Sequence, residues 1–68
     1  MRWALVNSAY FNTYLIQAFH WSAGKLYVYW QGDEDFETYA DPDRANYLRL
    51  CHAAGVRPVE EVGARGEG

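Results

Sequence analysis

One segment constrains the fold more than any other: residues 24–32, GKLYVYWQG, in which two kinds of side chain alternate between bounding glycines. Successive side chains of an extended chain leave opposite faces, so Leu26, Val28 and Trp30 share one face and Tyr27, Tyr29 and Gln31 the other. This alternation predicts the central strand of a small sheet over residues 25–31. Its aliphatic face supplies a core, and its tyrosine face needs a partner.

The neighbouring segments fit the same sheet. Over residues 14–21, Leu15, Phe19 and Trp21 have one parity and Tyr14, Ile16, Ala18 and His20 the other, which predicts a strand buried on part of both faces. Ser22, Ala23 and Gly24 supply a hairpin loop of three to five residues, with the glycine free to take positive φ. Gly32, Asp33 and Glu34 mark a second turn. Residues 35–39 then read as a third strand, with Phe36 and Thr38 opposed to Glu37 and Tyr39. Residues 3–11 alternate as far as Asn7 and Ser8, which predicts one short edge strand.

A helix is expected over residues 42–54. Asp41 can cap its free N–H groups, Pro42 suits the first helical position and Asp43 lies where the helix dipole favours an anion. Tyr47, Leu48, Cys51 and Ala54 form a narrow apolar stripe, with Asn46, Arg49 and His52 away from it and Leu50 at its edge. Gly55 stops the helix. The expected architecture is α+β: an antiparallel three- to four-stranded meander with one C-terminal helix packed on the face of Leu26, Val28 and Trp30. Residues 1–62 are expected to form one domain and residues 63–68 a flexible tail. Truncating Leu48 to alanine should then cost about 2–5 kcal/mol, the range for a buried leucine.

A chain of 68 residues buries only about 60% of its unfolded-state surface. Cys51 is its single cysteine, so no internal disulfide adds to that margin. The remaining resources are its aromatic side chains, 18% of the composition, and association into a homodimer. One thiol and no secretory leader read as a cytoplasmic setting. Polar residues interrupt every apolar run short of a membrane span. The net charge is −3, and six of the nine acidic residues lie between Asp33 and Asp43, where no Lys or Arg occurs. That segment repels phosphate backbones.

The order of elements, with Phe19, Gly24, Leu26, Val28, Trp30, Gly32, Phe36, Tyr39, Pro42, Tyr47, Leu48, Ala53 and Gly55, resembles the KTSC domain. This is a short module found at the C-terminus of some lysyl-tRNA synthetases and as free-standing bacterial proteins. The resemblance covers residues 16–55 and implies weak binding of single-stranded RNA, here through Tyr27, Tyr29, Lys25 and Arg44. The second turn is longer and more acidic than the family pattern, and the family has no catalytic residue to carry over.

His20 and His52 lack partners at metal-ligand or acid–base spacing, and neighbouring positions such as Cys51 and His52 diverge by about 100° on a helix. Nothing in the pattern points to a cofactor, a metal or an enzyme. Cys51 reads as a small buried hydrophobe. The acidic segment lacks the ligand order of a calcium loop. It reads either as charge that keeps a sheet edge soluble or as a mimic of phosphate spacing.

The remaining candidate is the face of Tyr27 and Tyr29, with Trp21 or Gln17 beside them. Residues 3–11 fold across it, or it meets a second copy of the chain or another protein. The expected function is a non-enzymatic interaction module using Trp21, Tyr27, Tyr29, Lys25 and Arg44.

Overall fold

In the computed structural model, which describes residues 3–59, the N-terminal segment is a hairpin rather than a single strand. Its strands are β1 (Trp3–Val6) and β2 (Ala9–Asn12), paired antiparallel so that Ala4 faces Phe11 and Val6 faces Ala9. Asn7 and Ser8, the apparent interruption, form the turn, and Asn7 takes φ 55°, a conformation asparagine tolerates better than most residues. A 3-10 turn at Thr13–Leu15 follows, capped by the Asn12 side chain, which accepts from Tyr14 N at 3.0 Å.

The meander is present as expected: β3 (Ile16–Ser22), β4 (Lys25–Trp30) and β5 (Phe36–Ala40) form an antiparallel sheet with β4 in the centre. The loop between β3 and β4 is shorter than expected. Ser22 pairs with Lys25, and Ala23 and Gly24 alone make the turn, both at positive φ, as a two-residue turn matched to strand twist requires. The register shifts between Ile16 and Ala18. This bulge reverses the parity of β3, so Ile16 packs with Phe19 and Trp21 against the core while Ala18 and His20 face outward.

The helix, α1 (Ala45–Ala54), begins three residues later than expected. Residues 42–44 instead form a turn in which Arg44 has φ 66°. Asp41 still caps the helix across that turn, its two carboxylate oxygens accepting from Asn46 N at 3.0 Å and Tyr47 N at 2.9 Å. Asp43 Oδ1 accepts from Ala45 N, and Leu48 N donates to Arg44 O. All four leading N–H groups therefore have acceptors, which a helix end requires. Gly55 closes the other end at φ 76°, donating to the last turn.

The helix presents Asn46, Tyr47, Leu50, Cys51 and Ala53 to the interior, whereas Leu48 is 42% exposed and Ala54 is exposed. The expected stripe of Tyr47, Leu48, Cys51 and Ala54 is thus half right. The cause is the N-terminal hairpin: β1 packs along one flank of α1, burying Ala4 and Val6 in one cluster with Leu26, Val28, Leu50 and Ala53. Two packing partners widen the buried arc and turn it toward Leu50. Asn46 joins hairpin to helix, accepting from Asn7 N and donating to Asn7 Oδ1.

Phe11 closes the other end of the core, its ring 5.2 Å from those of both Trp30 and Tyr39. Helix and hairpin thus share one side of the three-stranded sheet. The tail expected at residues 63–68 lies outside the described residues.

Candidate functional site

The side of the sheet away from the helix carries an aromatic cluster. His20 pairs with Tyr27 across β3 and β4, and Tyr29 with Phe36 across β4 and β5. The His20 and Tyr27 rings stack at 4.6 Å and 9°, and Tyr29 and Phe36 meet at 5.3 Å and 44°. Diagonal contacts of 5.9 Å between His20 and Tyr29 and 5.7 Å between Tyr27 and Phe36 complete the group. Such cross-strand pairs contribute roughly 0.2–1 kcal/mol each, so the cluster helps to hold the sheet together. It still leaves apolar surface in water: Phe36 is 49% exposed, His20 is exposed, and both tyrosines are half-buried.

The hairpin that could have covered this face packs beneath the opposite one, with Phe11 on Trp30 and Tyr39. Of the two alternatives left open by the sequence, coverage by residues 3–11 is therefore removed. His20 and Phe36 belong to the face although sequence reasoning did not assign them to it. Their signal was parity, since both are cross-strand neighbours of the tyrosines once the register is known.

Two expected members are elsewhere. Trp21 pairs with Leu26 and lies on the core side, where its Nε1 donates to Asp41 O at 2.6 Å. The two-residue turn, which pairs Ser22 with Lys25, sets that parity. Arg44 is also on the core side: its guanidinium stands 5.5 Å from the Trp21 ring and 5.1 Å from the Tyr47 ring, in the range of cation–π attraction, and donates to Val59 O. The left-handed backbone of Arg44 belongs to the turn that aims it there. Lys25, paired with Ser22 and Ala40, has the same parity as Tyr27 and Tyr29 and stands at one end of their face. Gln17 sits in the bulge.

The acidic segment divides by role. Glu37 has core-side parity and accepts from Trp30 Nε1 at 3.3 Å and from the Tyr39 hydroxyl. Burial, reinforced by that hydrogen bond and by the charge of Glu37, raises the Tyr39 hydroxyl from 10.0 to about 12. Asp41 and Asp43 cap the helix. Asp33, Glu34 and Asp35 are exposed in the turn between β4 and β5, at the end of the aromatic face opposite Lys25.

Cys51 is buried, as expected. Among the described residues no three His, Cys, Asp or Glu side chains gather as metal ligands, and no helix is long and apolar enough to cross a membrane. An open groove between β3 and the end of α1, about 460 Å³ in volume, is lined by Phe19, Tyr47, Cys51 and Val59 among others, and among the described residues neither a histidine nor a carboxylate lines it. Compared with protein-family models, curated proteins and solved structures, the chain matches none.

Proposed function

We propose that this protein is a small non-enzymatic interaction module that self-associates through the face formed by His20, Tyr27, Tyr29 and Phe36. The observation that carries this reading is the placement of both packing layers, hairpin and helix, on the other side of the sheet. A contiguous aromatic cluster is left facing water, and tyrosine and other aromatics provide rigid, amphipathic contacts that dominate association energies. Lys25 is the one cation on this face among the described residues, with Arg44 held against Trp21 and Arg49 donating to Leu5 O. That scarcity favours protein association over the weak RNA binding implied by the KTSC resemblance, because stacking platforms for single strands also need cations along the backbone path.

Three strands about 4.8 Å apart and some four outward rows about 6.8 Å apart give a footprint of roughly 14 by 25 Å. This is well below the ~800 Å² per partner typical of stable complexes, so the association is transient. Sedimentation equilibrium up to about 1 mM, where weak complexes of this class form, should show a mass rising toward that of two chains. Tyr29→Glu should hold the protein at the mass of one. A wild-type chain that stays monomeric throughout, or a Tyr29→Glu chain that associates equally well, would refute the proposal.

A further inference from the structure

We infer that the second copy docks end for end, on a two-fold axis lying in the interface perpendicular to the strands, so that Lys25 of each copy meets the Asp33–Asp35 turn of the other. This deepens the self-association proposed above and rests on it.

The argument starts from shape. The two central outward rows of the sheet are His20, Tyr27 and Thr38 in one and Ala18, Tyr29 and Phe36 in the next. Each has a large residue in the middle, but the small residue lies at opposite corners: Thr38 on β5 in the first row and Ala18 on β3 in the second. Rotation about an axis across the strands lays one row on the other while keeping β3 over β3 and β5 over β5. His20 then stands over Ala18 of the other copy, Phe36 over Thr38, and Tyr27 over Tyr29. Large side chains oppose small ones at both edges, as two sheets must if their facing side chains are to interdigitate, and aligned sheets tolerate the ~30° offset that twist imposes.

Shape leaves one competitor. An axis parallel to the strands also opposes His20 to Thr38 and Ala18 to Phe36. Charge separates the two. Along β4 the sequence runs from Lys25 through Tyr27 and Tyr29 to the exposed turn of Asp33, Glu34 and Asp35, so the face has a positive end and a negative end. The parallel axis sets Lys25 against Lys25 and three carboxylates against three. The perpendicular axis sets Lys25 against carboxylates at both ends of an isologous contact, in which every interaction occurs twice. Opposed like charges fix register by penalising the wrong arrangement, which is the main role of charge at interfaces.

The test uses exposed residues, Lys25, Asp33 and Asp35, whose replacement removes no core contact. Lys25→Glu, and separately Asp33→Lys with Asp35→Lys, should each weaken the dimer on the order of tenfold, since two exposed ion pairs are converted to repulsions. The second variant also brings the chain from −3 closer to neutrality, so general charge repulsion predicts tightening instead. All three substitutions in one chain should restore association to about the wild-type level, because each reversed charge again meets its opposite. If Tyr29→Glu dissociates the dimer but Lys25→Glu has no effect, or the triple variant is no tighter than the single ones, the end-for-end arrangement is wrong while the face remains in use. A wild-type chain that never dimerises removes the underlying reading itself.

Discussion

Replacing Leu50 with alanine tests the helix orientation on which the placement of every layer depends. Leu50 is completely buried, in one cluster with Val6, Leu26, Val28 and Cys51. The substitution deletes three carbons, and at about 0.8 kcal/mol per buried methylene the transfer term is roughly 2.4 kcal/mol. A residual cavity of about 60 Å³ adds some 1.4 kcal/mol at 24 cal/mol per Å³, for a total near 4 kcal/mol. Domains are stable by about 0.05–0.15 kcal/mol per residue, so a chain of 68 residues loses a large part of its margin. Leu48 is 42% exposed and its truncation leaves no enclosed void, so Leu48→Ala should cost less than about 1 kcal/mol. Urea denaturation followed by tryptophan fluorescence reports the midpoints, with Trp21 and Trp30 both against the core. Should the alanine variant not fold, Leu50→Met, a volume-conserving change costing less than about 1.5 kcal/mol, keeps the comparison measurable. A Leu48→Ala loss equal to or greater than that of Leu50→Ala would refute the orientation.

Asp41→Asn should destabilise by about 1.5–3 kcal/mol in the same assay, because the amide offers one oxygen where two helix N–H groups each need one; a loss below about 0.5 kcal/mol, the low end for a removed cap, would contradict the cap. Asn46→Ala should cost about 1–3 kcal/mol by leaving Asn7 N without its acceptor, and a double-mutant cycle with Asn7→Ala should show coupling. On alkaline titration followed by tyrosine absorbance, Tyr39 should ionise near pH 12. Its folded pKa lies above its unfolded value, so this contribution to stability is intact below pH 10 and is lost as pH rises through about 12. Glu37→Gln should move the Tyr39 titration down; an unchanged titration would exclude Glu37 as a cause.

Much of the architecture was legible in local chemistry. The alternation of residues 25–31 identified the central strand, Ser22, Ala23 and Gly24 marked a turn, Asp41 announced a cap and Gly55 an end. These features depend on residues within a few positions of one another, where backbone sterics and local hydrogen bonds act without tertiary help. Parity by itself also separates Tyr27 and Tyr29 from Leu26 and Val28. It said nothing of what would cover either side.

Coverage was decided by contacts between residues far apart in sequence. Asn7 meets Asn46 across 39 positions, and through such contacts the hairpin joins the helix side of the sheet, leaving the aromatic face bare. The two-residue turn pairs Ser22 with Lys25 and so sends Trp21 to the core and His20 to the surface, while the bulge at Gln17 brings Ile16 to the core side with Phe19 and Trp21. The helix turned toward Leu50 rather than Leu48 because it packs against two layers at once. Local pattern lists the faces that can be buried, whereas long-range packing chooses among them by how much apolar surface each arrangement removes from water.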